Sequence, residues 1–354
     1  LRYSPIVGAV ALLAASALTA ASPVAAAPSC RDVFAPVHVL GRPEVVHGTL
    51  CNPGGGASTV QLLIPGATYN STYWDYPVQG RSFRAAQNAA GFATLAVDRL
   101  GTGGSSRPPA ATLTGFAQAE AAHQVVRGLR SGAYGPSFRK VVIGGHSLGA
   151  AISVLEAATH RDVDGVLLTG LTHRVNPVGV AAVFGNFVPA NLDARFGLLH
   201  PPGYLTTAPG TRYAGFHAPG PLEPRLRQLD EATKDVFSPT EAVDGLGVAV
   251  LLPYSRLIDV PVLSVVGSRD GAVCGTAATD CSTAQALRAQ EAPYFRTPPD
   301  THVVPGYGHS INLAPDADRY FSAVASWVEG GVGPLTGGGG PARPRAPPPR
   351  DRPV

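Results

Sequence analysis

The segment Gly145-His146-Ser147-Leu148-Gly149 constrains this chain more than any other. An apolar run, Val141-Val142-Ile143-Gly144, leads into it, and Ala150-Ala151-Ile152-Ser153-Val154-Leu155 follows with helical character. Strand, tight turn with a serine at its tip, then helix is the order of a nucleophile elbow. A serine in such a turn sits in a strained backbone conformation. A side chain two residues before or after it would strike the neighbouring strand or helix, and glycine avoids that. The turn lifts the Ser147 hydroxyl out of the sheet. It also leaves the Leu148 N–H at a helix N-terminus, where it can stabilise an oxyanion. With 42 glycines in the chain the pattern can arise by accident, so the strand before it and the helix after it carry the weight.

The surrounding sequence alternates between short apolar runs and helical patterns. Residues 45–50 and 59–64 read as strands parted by the Asn52-Pro53-Gly54-Gly55-Gly56 turn, 83–90 as a helix and 93–97 as a strand. Residues 113–130 read as a helix, 139–144 as the strand feeding the elbow, and 163–169, 260–266 and 301–304 as further strands before a closing helix at 316–328. Such alternation predicts an α/β fold, with a mostly parallel central sheet flanked by helices and ligands bound beyond the carboxyl ends of its strands. Between residues 171 and 255 the alternation stops, in a stretch rich in Pro, Gly and aromatics such as Phe184, Phe187 and Phe216. That stretch reads as an inserted cap over the site. The expected organisation is a core at 28–170, a cap at 171–255 and the rest of the core at 256–330.

A serine hydroxyl is a weak nucleophile that needs a base, and the base needs an orienting acid. In this order of elements the acid follows a late strand and the histidine comes later still. Asp270 ends the run Val262-Leu263-Ser264-Val265-Val266-Gly267-Ser268-Arg269-Asp270, and His309 lies in the loop Gly306-Tyr307-Gly308-His309-Ser310. Asp259 precedes its strand, at the wrong end of the sheet, and His302 falls within a strand. His146 is expected to be a packing residue pointing away from the serine. Arg99 and Ser310 are expected to be structural, the first bracing a turn and the second bonding within its loop.

The chain thus resembles a serine hydrolase of the α/β-hydrolase superfamily over residues 45–329, least of all in the cap. Ile64-Pro65-Gly66-Ala67-Thr68 stands where that superfamily has its His-Gly oxyanion loop, and Asp98-Arg99-Leu100-Gly101-Thr102-Gly103-Gly104-Ser105 is similar to its Asp-Arg-x-Gly-x-Gly-x-Ser turn. Tyr73-Trp74-Asp75 is similar to what secreted actinomycete members carry. The resemblance implies Ser147 as nucleophile, His309 as base and Asp270 as its orienter. It implies the N–H groups of Ala67 and Leu148 as the oxyanion hole. Pro65 departs from the pattern: it replaces a loop-bracing histidine and supplies no donor, so the loop must be held another way, and Thr68 remains an alternative to Ala67.

The two ends of the chain differ from its middle. Arg2, the apolar residues 6–20 and Val24-Ala25-Ala26-Ala27 read as a secretory signal peptide over residues 1–27. The expected location is therefore extracellular, with no stable membrane anchor, because no segment reaches the roughly 18 apolar residues of a span. Four cysteines in an exported chain suggest two disulfides. Of three possible pairings, Cys30–Cys51 and Cys274–Cys281 are favoured because each is local. Residues 331–354 form a Gly/Pro/Arg-rich segment expected to be disordered. Its four arginines and one aspartate account for the whole formal net charge of +3. The basic balance is therefore no sign of a nucleic-acid partner. The ten histidines show no HExxH-type spacing, so neither metal nor cofactor is expected.

These features predict cleavage of a carboxylic ester through an acyl-enzyme intermediate, and the aromatic cap predicts a small, apolar, uncharged substrate. The same residues would also serve a peptidase, lactonase, thioesterase or carbon–carbon hydrolase. An acidic residue lining the cap, among Glu223, Asp230, Glu231 and Asp235, would favour an amine-recognising peptidase. A third reading is a non-catalytic binding protein on the same fold.

Overall fold

A computed structural model describes residues 28–54, 56–197 and 199–332. The expected signal peptide lies outside the described residues, as does the tail beyond residue 332. Gly331 and Val332 still belong to the last helical turn (Val328–Val332), and Val332 is buried, so the folded body runs past the expected boundary at residue 330.

The chain opens with a hairpin of β1 (Ser29–Val39) and β2 (Arg42–Asn52), followed by β3 (Thr59–Ile64), α1 (Phe83–Ala89), β4 (Ala93–Val97) and α2 (Gly115–Ser131). Then come β5 (Lys140–His146), α3 (Leu148–His160), β6 (Gly165–Thr169), α4 (Pro177–Phe184), β7 (Phe187–Pro189), β8 (Leu205–Thr207), α5 (Pro224–Ala232) and α6 (Pro239–Val250). The chain finishes with β9 (Val262–Gly267), α7 (Ala284–Glu291), β10 (Asp300–Val304) and α8 (Ala317–Trp327). Eight strands form one sheet in the order β1-β2-β4-β3-β5-β6-β9-β10. It is parallel from β4 to β10, and antiparallel where β2 meets β1 and β4.

The burial pattern follows from this order. Every residue of β3, β4, β6 and β9 is buried, as helices on both faces require. The edge strand β1 instead alternates buried and exposed over its last eight residues. Residues of α2 and α3 pack one face of the sheet, while Phe83 of α1 and Tyr320, Phe321 and Val324 of α8 pack the other. Both favoured cysteine pairs are disulfide-bonded. Cys30 and Cys51 are directly opposed between β1 and β2, with Cα atoms 4.0 Å apart. Cys274–Cys281 closes a short loop after β9.

Residues 171–255 add no strand to the large sheet. They hold the two-stranded β7–β8 ribbon and α4, α5 and α6. α6 starts at a capping box in which Ser238 and Glu241 satisfy each other's backbone N–H groups. Among the described residues, no helix is long and apolar enough to cross a membrane.

Candidate active site

β5 is the centre of the sheet, and the chain leaves it through Ser147 at φ 53° and ψ −116°. That positive φ costs a non-glycine residue on the order of 1–3 kcal/mol, and the surroundings hold it there. Ser147 N–H donates to Thr169 O on β6 (2.8 Å), and Ser147 O accepts from Ala150 and Ala151 as α3 begins. A Cβ on Gly145 would lie 2.0 Å from Gly149 O, and one on Gly149 would lie 2.3 Å from Ile64 O. Both glycines are therefore demanded by backbone contact rather than by flexibility.

Asp270 follows β9, and His309 follows β10. His309 Nδ1–H donates to Asp270 Oδ2 at 2.7 Å, while Asp270 Oδ1 accepts from Ala272 N–H at 3.0 Å. The Asp270 side chain is fully buried and that of His309 nearly so. Cys274 N–H donates to Asp270 O, so the small disulfide loop starts on the acid's own turn. With Nδ1 bound to the carboxylate, Nε2 is left as the proton acceptor.

Ser147 and His309 line one cleft together with Ala67 and Leu148. Ala67 lines the cleft and Thr68 does not, although Thr68 has the unusual φ of 60°. The remaining walls are apolar: Val180, Val183 and Phe184 of α4, and Ala242, Leu246 and Ala249 of α6, lie among them. The cleft holds about 840 Å³ of space, part of it open to solvent.

The chain matches a known family. The sequence model of the alpha/beta hydrolase family matches residues 61–320, most of the chain. The chain is an alpha/beta hydrolase. Solved structures with the same fold include a thermostable carboxyl esterase from Bacillus coagulans, 16% identical with a TM-score of 0.58, covering 86% of this chain and 99% of that one. A carboxylesterase from Bacillus subtilis is 15% identical with a TM-score of 0.56, over 87% of this chain and 93% of that one. An enol-lactonase from Burkholderia xenovorans is 17% identical with a TM-score of 0.53, over 83% and 99%. Comparison with curated proteins gave no match.

In this hydrolase the loop after β3 is held by two buried arginines rather than by a histidine at position 65. Arg99 donates to Gly66 O (3.3 Å) and Val236 O (3.3 Å) and pairs with Glu241 of α6. Arg212, from the cap, donates to Thr68 O (3.2 Å) and Thr68 Oγ1 (3.0 Å). The backbone N–H of Asp235 also donates to Thr68 O, at 2.9 Å. Arg212 is fixed in turn by a two-point ion pair with Asp230 at 2.8 and 2.9 Å, and lies over the Tyr69 ring at 4.3 Å. Asp230 also bonds Tyr76 Oη (3.0 Å) and His217 Nε2 (3.0 Å). Burial opposes charge on Asp230, but Arg212 and His217 outweigh it and hold the carboxyl far below the usual range. Two of the loop's carbonyls, those of Gly66 and Thr68, thus face arginines on either side of Ala67.

Arg99 is structural as expected, but its guanidinium bonds Gly66, Val236 and Glu241 rather than its own turn. Arg212 was not anticipated. Its only trace in the sequence is a lone cation in the apolar stretch Thr211-Arg212-Tyr213-Ala214-Gly215-Phe216. The Ser310 hydroxyl does not bond within its own loop as expected: it meets Tyr69 Oη at 2.7 Å, tying the His309 loop to the loop after β3. His146 packs as expected, stacked on Tyr73 at 4.3 Å, but it does not point away from the site: it lines the cleft and its ring lies 4.8 Å from that of His309. Burial, then the nearby His309, push the His146 imidazole well below its ordinary value, so it stays neutral.

Proposed function

We propose that this protein hydrolyses uncharged carboxylic esters through an acyl-enzyme intermediate on Ser147. The observation that carries the reading is the 2.7 Å His309–Asp270 contact in the same apolar cleft as the strained Ser147. Ser147 Oγ attacks the ester carbonyl as His309 Nε2 takes its proton. The N–H groups of Leu148 and Ala67 stabilise the tetrahedral oxyanion, worth about 3–4 kcal/mol per donor. His309 then protonates the departing alcohol, and water releases the acid by the same steps in reverse order. Asp270 keeps the imidazole in the productive tautomer.

The cleft chemistry favours an ester over an amine-bearing peptide. None of Glu223, Asp230, Glu231 and Asp235 lines the cleft. Asp230 is committed to Arg212, and Asp235 Oδ2 accepts from Asn70 (3.0 Å) and Gly103 N–H (2.9 Å). A substrate ammonium would find no partner there. The disulfides suit an oxidising compartment, which agrees with export.

A fluorophosphonate probe tests the nucleophile. Wild-type protein is expected to be labelled at Ser147 and the Ser147→Ala protein to stay unlabelled, with ester turnover down by about 10⁴-fold or more. Equal labelling of the two proteins overturns the assignment. A series of p-nitrophenyl esters against aminoacyl p-nitroanilides tests the bond. Turnover confined to the anilides would replace the esterase reading by a peptidase.

A further inference from the structure

Away from the cleft, His123 of α2, Glu156 of α3 and Asp162 just past the end of α3 come together, and their potential ligand atoms all lie within 4.8 Å of one another. Glu156 is wholly buried, and neither of its carboxylate oxygens has a hydrogen-bond partner. Asp162 Oδ1 is also without a partner. Three carboxylate oxygens thus meet at one buried point with no hydrogen-bonded cation, and a buried carboxylate is costly unless it holds a proton or a counter-charge.

The neighbouring cationic groups make their hydrogen bonds elsewhere. Arg130 spends its guanidinium on Asp162 O (2.9 Å from Nε) and on Asp164 Oδ2 (2.6 Å). His160 stacks on the His123 ring at 3.8 Å and faces Glu120 at 3.5 Å. His123 Nδ1 meets Asp162 Oδ2 at 2.8 Å, leaving the Glu156 side open.

We propose that His123, Glu156 and Asp162 form a divalent-cation site that takes zinc or a similar first-row ion. One imidazole nitrogen and two carboxylates match the mixed N/O ligand sets of such ions, whereas calcium prefers an all-oxygen shell. Three protein ligands leave the remaining positions to water. Bonds of about 2.0–2.2 Å hold donors closer together than they stand here, so the ion draws the three side chains inward. The side chains of His123 and Asp162 are each about one-fifth exposed, which gives the ion a path in. Glu156 lies nine residues along α3 from Ser147, roughly 13 Å at 1.5 Å per residue. The ion is thus structural, clamping α2 to the far end of the helix that begins at the serine.

The rival arrangement is a proton shared between Glu156 and Asp162. Full-length protein without a polyhistidine tag, stripped with EDTA, is titrated with zinc chloride by calorimetry and melted with and without zinc. The expected result is one zinc per chain and a Tm raised by several degrees, both lost in Glu156→Gln. Glutamine keeps the shape of a protonated acid but cannot hold the ion. Zinc that leaves the wild-type Tm unchanged, or that binds Glu156→Gln equally well, overturns the site and leaves the shared proton. Should Glu156→Gln fail to fold, His123→Gln on the more exposed partner is expected to show the same loss. Neither readout depends on hydrolysis, so the site and the esterase reading stand or fall separately.

Discussion

The elbow and the cap press on the same loop, residues 64–69, by different means. On the elbow side the contact is backbone against backbone: a Cβ on Gly149 would fall 2.3 Å from Ile64 O and 2.6 Å from Pro65 O, and one on Gly66 would fall 3.2 Å from the Ser147 Cβ. On the cap side, guanidinium arms reach carbonyls across long stretches of chain, Arg212 to Thr68 and, through Glu241, α6 to Arg99. The first contact tolerates no side chain. The second is made entirely of side chains, and could be rebuilt with others. One therefore expects the elbow contact to be all-or-none and the cap contact to be graded.

The largest effect should come from the elbow. Gly149→Ala puts a methyl against two carbonyl oxygens of the neighbouring strand end, neither of which can move without opening the sheet. Overpacking of this kind costs about 3 kcal/mol or more. The variant is expected to express as insoluble protein, or to fold with almost no ester turnover because Leu148 N–H is displaced. A soluble Gly149→Ala protein with near-normal turnover would show that the loop yields easily, and the contrast with the cap would fail.

The same difference decides what could be read from the sequence. A backbone contact needs glycine at a set distance from the serine, so Gly145, Ser147 and Gly149 announce themselves within five residues. Asp270 and His309 were legible because a parallel sheet ends each strand at the same edge. β1 was not, for a physical reason: it is a solvent-facing edge strand with Pro36 inside it, and an edge is where a strand tolerates a missing N–H. The Arg212 clamp was hidden because its partner Thr68 lies 144 residues away, and no local spacing marks such a pair. The cluster of His123, Glu156 and Asp162 was hidden likewise, since His123 stands on a different helix from Glu156.

Breaking the cap clamp should have an intermediate effect. Arg212→Met leaves Asp230 buried with its main counter-charge gone, a loss of about 3–5 kcal/mol in stability. Asp230→Asn keeps the shape and removes the ion pair from the other side. In either variant the Ala67 N–H loses its fixed direction. Misplacement of a positioning group by about 1 Å can cost around a hundredfold. The expected signature is a fall of roughly ten- to a hundredfold in kcat with KM little changed, since the apolar walls of the cleft are untouched. A rise in KM at constant kcat would instead make Arg212 part of the substrate-binding surface.

The smallest effect separates the two sides by pH. On the sheet side, His47 Nδ1 pairs with Asp98 Oδ2 at 2.8 Å, next to the turn that carries Arg99. The Asp98 carboxylate raises the His47 imidazole above its ordinary value. A raised folded value means that the pair's contribution is complete below the unfolded histidine value of about 6.5 and is lost as pH rises through the raised one. In the cap, the depressed Asp230 carboxyl gives the opposite sign: its contribution is complete above the unfolded carboxylate value of about 3.9 and is lost only in stronger acid. Denaturant unfolding of His47→Gln and Arg212→Met at about pH 6 and about pH 8 should therefore diverge. The His47→Gln penalty, modest for a partly exposed pair, should shrink at the higher pH while the Arg212→Met penalty stays constant. An Arg212→Met penalty that also moved between the two would show that the Asp230 carboxyl alone does not set the pH response of the clamp, and the contrast between the two sides would fail.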